Sequence, residues 1–82
     1  MARSLNRLSA RRVSTEKRQG LHADGGGLYL QVSRWGTKSW LFRFTLKGRS
    51  RQMGLGPLGT VSLSEARQEA EQCRKVLREG RD

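Results

Sequence analysis

With 82 residues the chain has material for one domain on one small core, and 17 lysines and arginines against 7 acidic residues give it a formal charge of +10. The lone cysteine, Cys73, excludes an internal disulfide and fits a reducing compartment, and no apolar run approaches the length that spans a bilayer. Residues 1–20 and residues 21–55 each carry six cationic side chains and one acidic one, whereas residues 56–82 hold five of each sign. The whole excess therefore lies in the first two thirds, which points to a polyanionic partner for that part; charge alone fits DNA, RNA or an anionic membrane surface equally.

The first twenty residues are rich in Arg and Ser and poor in acid. An organelle transit peptide has that composition too, but it needs an amphipathic helix. Here Leu5, Leu8, Ala10 and Val13 are thinly spread and Gly20 closes the stretch. A basic arm with a short helical turn near Ser9–Val13 fits better, and Arg11, Arg12, Lys17 and Arg18 on it are candidates for phosphate contacts.

Asp24-Gly25-Gly26-Gly27 then interrupts regular structure. A phosphate-binding loop would follow an apolar strand and open a helix with a Lys-Ser/Thr pair, whereas this run leads into a strand, so it reads as a turn. From Leu28 to Ser33 the chain alternates, with Leu28, Leu30 and Val32 on one face and Tyr29, Gln31 and Ser33 on the other. Ser39 to Lys47 alternates again, with Trp40, Phe42, Phe44 and Leu46 opposed to Leu41, Arg43, Thr45 and Lys47. Lys47-Gly48 is a two-residue turn into a third strand, Arg49 to Leu55.

Turn lengths set an expected register. Lys47-Gly48 opposes Leu46 to Arg49, Phe44 to Arg51, Phe42 to Met53 and Trp40 to Leu55. A three-residue loop Trp35-Gly36-Thr37 opposes Val32 to Trp40, Leu30 to Phe42 and Leu28 to Phe44. Both hairpins gather the apolar residues on one face. Pro57 falls in the loop Gly56–Val61, and Ser62-Leu63-Ser64-Glu65 has the form of a capping box. Leu63, Ala66, Ala70, Cys73 and Leu77 form one apolar stripe that must bury itself on the sheet, with Gly80 as a stop; Cys73 there reads as a small core residue rather than a reactive thiol. The fold class is α+β: a three-stranded antiparallel sheet packed on one C-terminal helix over residues 21–82, preceded by the basic arm of residues 1–20. Trp40 and Phe42 are expected at the core's centre.

The opposite face carries Tyr29, Gln31, Ser33, Leu41, Arg43, Thr45, Ser50 and Gln52, with Arg34, Lys38, Lys47 and Arg49 at its hairpin ends. Tyr29, Gln31, Ser33, Arg43, Thr45, Ser50 and Gln52 suit base edges, and the four end cations suit phosphates. Any sheet covered on one side has a polar outer face, but this one has no acid after Asp24 to balance its cations. Tyr29 could be a phosphodiester nucleophile, yet that chemistry needs a cage of Arg and His, and the chain has one His, His22. A single His and a single Cys at distant positions make no metal site. No catalysis, cofactor, metal or small-molecule substrate is expected.

The run Asp24-Gly25-Gly26-Gly27-Leu28-Tyr29-Leu30-Gln31-Val32, then Gly36-Thr37-Lys38-Ser39-Trp40 with Phe42-Arg43-Phe44, then Met53-Gly54-Leu55-Gly56, then Ser62-Leu63-Ser64-Glu65-Ala66-Arg67, resembles the N-terminal arm-type DNA-binding domain of prophage integrases, which are tyrosine recombinases. Leu8-Ser9 and Val13 extend the likeness over nearly the whole chain. The resemblance implies a three-stranded sheet whose face enters the major groove at arm sites flanking an attachment core, a layout shared with plant ethylene-response-factor domains. It implies sequence-specific binding of double-stranded DNA in the bacterial cytoplasm, at the nucleoid. It also implies that other integrase protomers are possible neighbours, and that the catalytic cage belongs to another domain of a longer protein. Two features depart from the family pattern: the run of three glycines, and Trp35 in the first hairpin loop, which either stacks on DNA or covers the sheet edge. A basic RNA-binding module and a docking domain for an acidic protein are the competing readings; preference for an attachment-flank duplex separates them.

Overall fold

The sheet has four antiparallel strands in the order of the chain, one more than the sequence suggests. In the computed structural model, which describes residues 7–79, the order is α1 (Ala10–Thr15), β1 (Gly20–Gly25), β2 (Leu28–Val32), β3 (Lys38–Leu46), β4 (Arg49–Pro57) and α2 (Leu63–Arg78). The added strand is β1, in a segment read as arm and turn. Its helix-side residues, His22 and Asp24, are polar, so apolar alternation does not reveal it. Asp24 is nevertheless almost fully buried, because it accepts hydrogen bonds from elsewhere in the chain.

The expected inner face holds. Leu28, Leu30, Val32, Trp40 and Phe42 are fully buried, and Phe44 packs against them with its ring stacked on Phe42. Helix α2 roofs this face through Ala66 and Ala70, with Leu63, Cys73 and Leu77 half-buried beside them. Burial pushes the Cys73 thiol above its ordinary pKa, as an inert core thiol requires. The capping box forms as read: Ser62 Oγ accepts from the Glu65 amide, and Glu65 accepts from the Ser62 amide. Gly80, read as the stop of α2, and Leu5 lie outside the described residues.

Two register details differ from expectation. The first hairpin closes with a five-residue loop, pairing Val32 with Lys38, Leu30 with Trp40 and Leu28 with Phe42. Ser33 explains the longer loop. Its amide donates to Thr37 O, and its hydroxyl accepts from the amides of Trp35 and Thr37. The shift is two residues, so every side chain keeps its face. The second hairpin pairs as expected from Leu46–Arg49 to Phe42–Met53, with Lys47 and Gly48 both at positive φ in the turn. Beyond that, a bulge at Leu55 pairs Trp40 with Gly56 rather than with Leu55. The bulge lets β4 continue, so Pro57 ends a strand opposite Ser39 instead of lying in the loop, a position an edge strand tolerates.

From Arg7 on, the described part of the basic N-terminal segment is built into the same body. Leu8 and Val13 are buried in the core, and α1 covers the sequence expected to make a short turn, capped by the Ser9 hydroxyl. Trp40 anchors the whole, donating its indole N–H to Val61 O at 2.7 Å from a site with almost no water access. Trp40→Ala is expected to cost about 3–5 kcal/mol, most of the stability of a domain this size. Circular-dichroism melting should show an unfolded chain or a transition lowered by roughly 15 °C or more.

Candidate nucleic-acid interface

Strand parity puts Tyr29, Gln31, Leu41, Arg43, Thr45, Ser50 and Gln52 on the face away from α2. Arg43 pairs with Gln52, Thr45 with Ser50, Gln31 with Ser39 and Tyr29 with Leu41. Arg43, Thr45, Ser50, Gln52 and Gln31 are exposed, and the Arg43 guanidinium lies over the Tyr29 ring at 5.8 Å. Leu41, expected to be exposed there, is only 7% exposed. Its cross-strand neighbours are the half-buried Tyr29 and the exposed Gly54, which has no side chain, so the centre of this face is apolar and its polar groups lie around that centre. Leu21 and Ala23 of the unforeseen β1 extend the same face beside Gln31 and Tyr29.

The sheet tapers. Strand β2 reaches Phe42 through Leu28, and Arg43 donates its amide to Gly27 O at 2.8 Å; past that point residues 43–52 pair only with each other. A two-stranded ribbon therefore projects, carrying Arg43, Lys47, Arg49 and Arg51 with no carboxylate. Such a ribbon matches the ~12 Å width of a major groove. Gly27 makes its root possible: at φ +95° a Cβ would stand 2.6 Å from Arg43 O, so only glycine lets the two strands meet.

The remaining expected contacts are placed unevenly. Ser33 belongs to the hairpin loop, not the strand, and its hydroxyl is engaged there. Arg34 and Trp35 are exposed at that tip. Arg49 and Arg51 fall on the helix-side parity, opposite Leu46 and Phe44; Arg51 was not anticipated as part of the set. Lys38 turns inward. Its ammonium donates to Val13 O at 2.8 Å and Ser14 O at 2.9 Å, closing the C-terminus of α1 rather than facing a partner. Arg11 and Lys17 are exposed, whereas Arg12 and Arg18 share Glu16 at 3.6 and 3.3 Å, with His22 Nδ1 at 3.5 Å from the same carboxylate. The hydrogen bonds from Arg18 hold the Glu16 carboxyl at about 2, from its ordinary 4.5.

Sequence reasoning missed one assembly. Arg67 grips Asp24 with two N–H···O bonds of 2.9 Å and reaches Leu8 O at 2.7 Å, while Asp24 also accepts from the Leu8 amide at 2.9 Å. Burial would raise the Asp24 carboxyl, but the Arg67 and Leu8 bonds outweigh it and hold it below the ordinary range. Arg74 adds a bond to Gly26 O. The available signal was Asp24 before the glycines and Arg67 at the edge of the inward stripe of the helix. Both acids between residues 7 and 64 are thus engaged from within, and strands β2 to β4 have none of their own.

Among the described residues no cluster of His, Cys, Asp or Glu could hold a metal ion, and no helix is long and apolar enough to cross a membrane. A groove of about 500 Å³ between the ribbon and α2 is lined by Phe44, Leu46, Met53, Val76 and Leu77, on the side away from the polar face. A family model described as an arm DNA-binding domain matches residues 6–82. The chain is 36% identical over 81 residues to the integrase of Enterobacteria phage P4, covering 93% of this chain and 18% of that protein. It is 37% identical over 59 residues to the integrase of Shigella phage Sf6 and to the prophage integrase IntS of Escherichia coli (strain K12), covering 72% of this chain and 15% of each. The chain spans less than a fifth of the length of these curated relatives.

Proposed function

Because this chain belongs to the arm DNA-binding domain family, we propose that it binds double-stranded DNA through the outer sheet face and the projecting β3–β4 ribbon, with preference for particular sequences. In an integrase this serves recognition of the DNA arms flanking an attachment site, while strand cleavage belongs to other parts of the protein. The observation that carries the reading is the ribbon with its polar groups and cations and no carboxylate across β2 to β4. Arg43, Gln52 and Gln31 offer donors and acceptors to base edges, Thr45 and Ser50 hydroxyls suit either bases or phosphates, and Lys47 and Arg49 at the turn suit the backbone beside the groove. Arg34 does the same at the opposite end, and Arg11 and Lys17 are further cations for phosphates. Lys38 and Ser33 drop out of the contact set because their polar groups are engaged internally.

The family match lends nothing to an RNA-binding reading, and one experiment separates the two. A labelled duplex from an attachment-site flank is titrated by fluorescence anisotropy at two salt concentrations, with random duplex and structured RNA as competitors. The flank duplex should outcompete both by on the order of a hundredfold or more, and affinity should fall steeply with salt. Equal competition by RNA would remove the proposal.

A further inference from the structure

Trp35 is 82% exposed at the tip of the β2–β3 hairpin, a large apolar side chain that touches none of the core. Its setting is rigid. Ser33 bridges the loop through its backbone bonds with Thr37 and Gly36 and through its hydroxyl, which also meets the Thr37 hydroxyl. The Arg34 guanidinium lies over the Trp35 ring at 5.2 Å, so one face of the indole carries a cation and the other is open. An aromatic group held out in water on a braced loop loses little freedom when it meets a partner.

We propose that this tip is a second DNA contact, in which the open face of Trp35 packs on a deoxyribose and Arg34 pairs with the adjoining phosphate. The inference rests on the duplex-binding reading above and adds a site to it. The chemistry favours the sugar–phosphate edge. Deoxyribose presents an apolar C–H surface beside an anion, which matches an indole beside a guanidinium. No acid in β2 to β4 competes for Arg34. Position favours it as well. Lys38, at the base of this hairpin, is five residues along β3 from Arg43, about 17 Å at ~3.4 Å per residue, so the tip meets the backbone beyond the bases within reach of Arg43. The contact is therefore indifferent to sequence.

The chain's two tryptophans make the test direct, since Trp40 is buried and Trp35 is not. Acrylamide quenching of the 82-residue chain is measured with and without a saturating 20-base-pair mixed-sequence duplex at low salt, with Trp35→Phe supplying the Trp40 background. Duplex should shield the exposed tryptophan in the wild type and leave the Trp35→Phe signal unchanged. Trp35→Ala should weaken mixed-sequence and attachment-flank duplexes alike by roughly fivefold, with an unaltered melting curve. Arg34→Gln should lower the slope of log affinity against log salt by about one. Duplex binding with Trp35 quenched as before and Trp35→Ala at wild-type affinity would overturn this contact while leaving the sheet face standing. Absence of salt-sensitive binding to any duplex would overturn both.

Discussion

Arg43→Glu is expected to lower affinity for an attachment-flank duplex by roughly 5- to 150-fold, the ~1–3 kcal/mol of one base-reading arginine, without moving the thermal transition. The side chain is exposed and lies over the Tyr29 ring, so no buried group is orphaned by the change. Its effect should fall most heavily on the preferred duplex, because a base contact separates sequences while a phosphate contact does not. Gln31→Ala should act in the same direction more weakly. The check is a pair of titrations, preferred against random duplex, alongside a melting curve. A folded Arg43→Glu protein with wild-type affinity for the preferred duplex would show that another surface meets the DNA.

Asp24→Ala should destabilise the fold by about 3 kcal/mol, near the low end for breaking a buried ion pair because Arg67 keeps some contact with water. The substitution strands the Arg67 guanidinium and leaves the Leu8 amide without its acceptor. Urea unfolding monitored by circular dichroism measures the loss; a midpoint within error of the wild type would refute the role assigned to this carboxylate. The same group predicts a pH dependence. Its folded-state pKa lies below the ordinary 3.8, so its stabilisation is complete above that value and drains away as pH falls beneath it. Asp24→Asn should lack that acid-side loss, with unfolding midpoints less dependent on pH under about 4.

The sequence carried the inner face, the second hairpin and the helix cap because each was written in a pattern with one physical solution. Trp40, Phe42 and Phe44 alternate, and a slip by one residue would have thrown all three into water. The first hairpin's loop is two residues longer than its pattern suggests, since Ser33 continues the strand alternation while its hydroxyl bonds two loop amides. Strand β1 stayed hidden because burial of Asp24 depends on Arg67, 43 positions later, and no local pattern encodes that partner. The charge of Lys38 likewise suggests a phosphate contact, whereas its position beside the end of α1 gives that charge to two carbonyls. Outer-face membership of Arg43, Thr45, Ser50 and Gln52 followed from parity alone; the tapering into a ribbon required the real strand lengths.

The clasp between Lys38 and the end of α1 changes what the N-terminal cations can do. A loose tail would wrap along any duplex it met, adapting to bends at the expense of its own freedom. Residues 10–15 are instead fastened to β3, so Arg11 is held on the same body as the outer face, at the spacing the fold sets. A polyanion that engages both must bring its phosphates to that spacing. On the proposed duplex-binding reading, groove width and local curvature then weigh in selection at positions where no base is touched.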